Sequence, residues 1–108
     1  MTESEFNRQI DATLLAIEEA ADASSADIDY ENSGGVLTLT LGNGSQVIIN
    51  RQTPVRQLWV AARSGGFHFD FDPASGEWRR DSDGAELFAV LSRVISEQGG
   101  EAVTLSAG

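Results

Sequence analysis

The chain contains no cysteine and no lysine, and only one histidine, in 108 residues. Without cysteine there is no disulfide framework, no thiolate nucleophile and no Cys-ligated zinc or iron–sulfur cluster, a usage compatible with a reducing compartment. Without lysine, Schiff-base chemistry is excluded. A single imidazole rules out paired-histidine metal motifs, and no Gly-x-Ser-x-Gly elbow occurs, so no catalytic site is read and the chain is not expected to be an enzyme. Basic side chains are scarce: seven arginines stand against 17 acids, for a formal net charge of −10. Because phosphate affinity rests on basic residues, nucleic acid is not an expected partner. No apolar run is long enough to span a bilayer, and Met1–Asp11 carries neither a secretory nor an Arg-rich leader pattern. No membrane contact and a soluble, cytoplasmic chain are therefore expected.

What is present is patterned. Hydrophobic residues make up 41% of the chain and recur at regular spacings, unlike those of disordered acidic segments. The length suits one domain over 1–108, able to bury roughly 65% of the surface of its unfolded form. Thr2 and Glu5 fit a capping box, and Phe6, Ile10, Leu14, Ile17 and Ala21 form one helical stripe ending near Asp22. Residues 26–31 then alternate as a half-buried strand with Ile28 and Tyr30 inward. Val36–Leu41 and Ser45–Asn50 flank Gly42-Asn43-Gly44 as a hairpin. Thr53-Pro54 interrupts the chain before a fourth strand, Val55–Ala62. Gly65-Gly66 turns into Phe67–Phe71, whose three phenylalanines share a face, and a short strand follows around Trp78. Asp83 and Glu86 read as a second capping box, opening a helix with Leu87, Phe88, Leu91, Val94 and Ile95 on one face and a stop at Gly99-Gly100. Val103 and Leu105 are expected to pack on the body. Helix, about five or six antiparallel strands, then helix predicts an α+β fold: a two-layer sandwich with both helices on one face of the sheet.

Two surfaces stand out. Asp27, Asp29 and Glu31 repeat at period two, a rail about 13 Å long on one side of a strand. Asp11, Glu18 and Asp22, with Glu19 just beside them, form a stripe about 16 Å long on the preceding helix. Glu18 and Asp22 are a like-charge i,i+4 pair, costing about 0.2–0.5 kcal/mol. Within the first 31 residues only Arg8 is basic. Side by side, the two elements would merge into an acidic ridge that attracts cations and basic proteins, although composition alone reads more simply as a solvated face. Neither Asp27-x-Asp29-x-Glu31 nor Asp70-x-Asp72 completes a calcium loop: Asn32 and Thr38 spoil the first, Ala74 and Ser75 the second. Exposed carboxylates without thiolate or a convergent imidazole suit hard, oxygen-preferring cations, held weakly. The second surface is the open sheet face. Strand parity places Trp59 there with Asn50 and Gln52, near Arg51 or Arg56, a tryptophan among amides of the kind that anchors protein contacts. His68 points to the same face beside Asp70 and Asp72, either as a plain surface residue or as a metal or proton-relay group.

These residues also resemble a known family. GGVLTLTLGNGSQVIINRQTPVRQLWVAARSGGFHFDF, residues 34–71, followed by Trp78, is similar to the core of the frataxin family, especially its bacterial branch. An acidic first helix, an acidic first strand, the Asn50-Arg51-Gln52-x-Pro54 turn, Gln57-Leu58-Trp59 and Gly65-Gly66-Phe67-His68-Phe69-Asp70 occur in order over nearly the whole chain. The resemblance implies a frataxin-like sandwich and a non-enzymatic, iron-binding regulator or adaptor of iron–sulfur cluster assembly. It implies weak surface binding of iron, Fe2+ or Fe3+, at Glu18, Glu19, Asp22, Asp27, Asp29 and Glu31, and docking of that ridge on the cysteine desulfurase. Asn50, Gln52 and Trp59 match the surface the family turns toward its partners, the iron–sulfur scaffold protein among them. A monomer is expected, and an iron store or ferrous-iron chaperone without a fixed partner is the alternative. One departure is the loop Ala23-Ser24-Ser25-Ala26, which carries no acid where bacterial relatives often continue the charge.

Overall fold

In the computed structural model, which describes residues 1–107, the first helix, α1, runs Glu3–Ala23. Thr2 Oγ1 accepts the Glu5 N–H at 3.1 Å, the N-cap bond, and donates to the Glu5 carboxylate at 3.0 Å, so Glu5 reaches back to the cap hydroxyl and not to its N–H. Phe6, Ile10, Leu14, Ile17 and Ala21 are all buried. Six strands follow: β1 (Ile28–Ser33), β2 (Val36–Leu41), β3 (Gln46–Gln52), β4 (Gln57–Ala62), β5 (Gly65–Asp72) and β6 (Glu77–Arg80). All neighbours are antiparallel and their order in space is their order in the chain. Short turns permit such a meander; the Leu41–Ser45 hairpin closes with Leu41 N–H to Ser45 O at 2.8 Å. A second helix, α2, spans Leu87–Gly99 and ends on Gly100 in the left-handed conformation, φ 78°.

Register explains where the core sits. Leu39 lies opposite Val47, Ile49 opposite Val60, and Leu58 opposite Phe69, so one face of the sheet is apolar row by row and both helices cover it. Each such side chain, fully buried, contributes about 1.5–3 kcal/mol. Trp78 ties β6 to α1: it packs edge-on against Phe6 and Phe71, and its indole N–H donates to Thr13 Oγ1 at 2.8 Å. Gln98, buried in α2, donates to Gln46 O at 2.7 Å and accepts the Arg63 N–H at 2.9 Å, fastening the helix to two strand ends. After α2 the tail runs back along it. Val103 and Leu105 are buried, with their amides donated to Ser96 Oγ and Ser92 Oγ.

Four local expectations are corrected. Val55 belongs to no strand: Pro54, lacking an N–H and fixed in φ, starts a 3₁₀ turn over Thr53–Val55, Arg56 adopts φ 53°, and β4 begins only at Gln57. Tyr30 faces the helix layer as parity requires but remains 36% exposed, because β1 is the sheet edge. Glu86 is itself the N-cap of α2, accepting from Phe88 N–H at 2.7 Å and Ala89 N–H at 3.3 Å, while Asp83 serves the preceding turn. Arg51 is not beside Trp59. It lies on the helix side, reaching Asp11 Oδ1 at 2.5 Å and Asn7 Oδ1 at 3.0 Å. That crossing passes so close to Gly35 that a Cβ there would stand 2.9 Å from Arg51 Nε, and with φ +83° the position is doubly suited to glycine.

Candidate functional site: an acidic flank and an aromatic sheet face

The six ridge carboxylates divide over four places. Glu18 and Asp22 face β1 across its helix side: Tyr30 donates its hydroxyl to Asp22 Oδ2 at 2.8 Å, and Asn32 Nδ2 donates to Glu18 Oε2 at 3.2 Å. The Asp22 carboxylate raises the Tyr30 pKa above its ordinary value by stabilising the protonated phenol. Asp29 and Glu31 alternate with those residues and stand on the opposite, open face, across from Thr40 and Thr38 of β2. Asp27 leads into the strand beside Gly42, where a Cβ would meet its Oδ2 at 3.3 Å. Glu19 is exposed on α1 alongside Ala16, Ala20 and Ala23, and shares a shallow depression with Thr104 and Ser106 of the tail. Helix and strand do lie side by side, but among the described residues no three carboxylate or imidazole groups converge in a way that could hold a metal ion. The arrangement is a broad field of oxygen donors. Such a field supplies hard ligands one or two at a time, with water completing any cation's coordination.

None of these six acids meets an arginine. Four acids elsewhere do: Asp11 with Arg51, Glu77 with Arg79, Asp83 with Arg80 at 2.5 Å, and Glu97 with Arg93 at 3.4 Å. The Arg80 guanidinium, with the Ala85 N–H, brings the Asp83 pKa down to about 2. Asp72 is also lowered, first by the Ser75 hydroxyl and then by the Ala74 N–H in the β5–β6 turn. None of Glu18, Glu19, Asp22, Asp27, Asp29 and Glu31 forms an ion pair among the described residues. Between Arg8 and Arg51 the sequence offers no basic residue at all. Their field is therefore uncompensated within the chain and projects outward.

On the open sheet face, Asn50 and Trp59 are directly opposed across β3 and β4, and Gln52 opposes Gln57. Trp59 is half-buried. His68 stacks on one side of its ring, with centroids 4.2 Å apart and planes 18° from parallel. The indole N–H is already given to Gln57 Oε1 at 2.9 Å, and Gln57 donates onward to Asp70 Oδ1 at 3.1 Å. The tryptophan thus offers a partner its flat apolar surface. Asp70 and Asp72 share the face with His68 but are engaged with Gln57 and the following turn; the carboxylate next to the imidazole is Asp81, at 3.8 Å from Nδ1.

The family model for the frataxin-like domain matches residues 1–101. The chain belongs to the frataxin family. Within it the relatives are those of the bacterial CyaY branch: it is 55% identical to the iron–sulfur cluster assembly protein CyaY of Pseudomonas aeruginosa over 95% of both chains. It is 50% identical to the protein of the same name from Azotobacter vinelandii, over 94% of this chain and 92% of the relative. Its structure superposes on the frataxin of Psychromonas ingrahamii with a TM-score of 0.88 at 38% identity, covering 100% and 99% of the two chains. A trimeric frataxin from Saccharomyces cerevisiae, complexed with ferrous iron, matches with a TM-score of 0.65 at 29% identity over 94% of this chain and 88% of that one. Two helices on a six-stranded antiparallel sheet are thus the frataxin fold.

Sequence reasoning missed Tyr30 and Asn32 as partners of Asp22 and Glu18, although their alternation with Asp29 and Glu31 already placed them toward α1. It also missed Gln57 and Asp81, which hold Trp59 and flank His68; Gln57 shared Trp59's parity, whereas Asp81 reaches His68 only through the fold.

Proposed function

We propose that the chain is an iron-binding adaptor of iron–sulfur cluster assembly that docks its acidic flank on a basic surface of the cysteine desulfurase and modulates sulfur and iron delivery to the scaffold protein. The observation that carries this reading is the run of six exposed or half-exposed carboxylates on α1, β1 and the residue leading into β1, none with an internal ion-pair partner and with no basic residue between Arg8 and Arg51 to offset them. The names of the bacterial relatives support the pathway, and the ferrous-complexed yeast relative supports iron as the cation. The chemistry is positional, not catalytic. Glu18 with Asp22, and Asp29 with Glu31, offer pairs of hard oxygen donors that hold iron weakly, and bound iron lowers the charge presented to the desulfurase. Asn50, Gln52 and the Trp59 ring supply a second contact, toward the scaffold. The adaptor acts as a monomer in the cytoplasm, and no helix is long and apolar enough to cross a membrane among the described residues.

Calorimetric titration of purified desulfurase tests the reading. Affinity should fall steeply between low and moderate salt, as exposed charge is screened over about 10 Å at 0.1 M. Added ferrous iron under anaerobic conditions should weaken it further. Saturable iron uptake with no affinity for desulfurase at any salt would instead establish the storage role.

A further inference from the structure

The two edges of the sheet are finished differently. β6 is four residues long, and residues after it fold back over its outer side: Arg79 bridges to Glu86, and the Arg80 N–H donates to Ala85 O at 2.8 Å. β1 is six residues long, and its only neighbour is β2. Beyond that ladder, no main-chain N–H or C=O of Ile28–Ser33 has a hydrogen-bond partner among the described residues. An open edge of this kind is a template for another strand, and proteins guard it by covering it or by charging it. Here the guard is charge alone. Asp29 and Glu31 stand on one side of the strand, Glu18 and Asp22 on the other through Asn32 and Tyr30, and Asp27 at its start.

Charge of this kind selects as well as protects. A second copy pairing antiparallel on this edge would set acid against acid, an unfavourable cross-strand arrangement. An extended segment with arginine or lysine at alternate positions would set two of them beside Asp29 and Glu31, because a facing strand presents side chains at the same period of two. A helix has no such match to a period-two rail. We propose that β1 is a strand-addition site that takes an extended basic segment of a partner protein as a seventh strand of the sheet. This rests on the docking reading above and deepens it: recognition uses main-chain hydrogen bonds as well as charge.

The test is a nuclear magnetic resonance titration of the full chain with a synthetic octapeptide alternating arginine and valine. A second peptide has the same sequence and charge but is N-methylated at alternate residues. The first peptide should shift the amides of Ile28–Ser33 and slow hydrogen exchange at every second one. The N-methylated peptide should bind weaker by on the order of tenfold, since several ladder bonds are lost. Equal affinity of the two peptides, or exchange in β1 that is not slowed, overturns strand addition. Desulfurase affinity measured separately then decides whether charge-based docking stands without it. A peptide copying residues 27–33 should leave the spectrum unchanged, and its binding to β1 would overturn the selection for a basic segment.

Discussion

The flank built from α1 and β1 and the flank built from β5, β6 and α2 both carry many acids, yet they use them differently. On the second flank the carboxylates have structural work: Glu77, Asp83 and Glu97 meet arginines, Asp70 accepts from Gln57, Asp72 caps a turn, Glu86 caps a helix, and Asp81 lies beside His68. On the first flank Asp11 meets Arg51, but the six ridge acids have no basic partner, and Tyr30 and Asn32 only tether two of them. The lesson is that composition does not separate structural charge from charge left for something outside; the pairing does. A net charge of −10 is spread over both flanks, but its unneutralised part is concentrated on one.

The largest effect is expected at the anchor of the paired flank. Trp78→Ala removes the contacts to Phe6 and Phe71 and the bond to Thr13, and should cost about 3–5 kcal/mol in urea unfolding. No single substitution of a ridge carboxylate should approach that. A smaller effect sharpens the contrast in acid. Asp83 has its folded pKa lowered to about 2, below the ordinary carboxylate value, so its contribution is present above the unfolded value and is lost as pH falls through the folded one. Asp83→Asn should therefore lose less stability than the parent between about pH 4 and pH 2, as followed by acid titration of unfolding. The smallest effect concerns the ridge itself. Asp22→Asn keeps an acceptor for Tyr30 but removes the like-charge pair with Glu18, so stability should rise or hold, by about 0.2–0.5 kcal/mol at most. The same variant should lower the pKa of Tyr30, which is the only tyrosine of the chain and is read directly from the ultraviolet phenolate band.

Much of this was legible in the sequence, and the failures have physical causes. Period and capping located both helices and the strands, because the apolar stripe of α1 and the alternation of β2 and β3 are undisturbed by local chemistry. Boundaries slipped where one residue could serve two devices. Glu86 fitted a capping box but is a cap in its own right, and Val55 fitted a strand but follows a proline that turns the chain. Parity placed Trp59, Asn50, Gln52 and His68 on the open face. It gave no sign of which acids would find arginines, since Asp11 and Arg51 are 40 residues apart and meet only through the fold. The unpaired character of the ridge was therefore beyond the reach of sequence, although each of its members was named.

In the proposed docking, the desulfurase reads the unpaired charge of one flank and not the total charge. Two variants with equal change in net charge test it: Asp22, Asp27 and Asp29 replaced by asparagine, and Glu77, Asp83 and Glu97 replaced by their amides. Desulfurase binding should weaken by on the order of tenfold or more, with a flattened salt dependence, for the first, and by no more than about twofold for the second. Equal weakening in both variants would contradict the account.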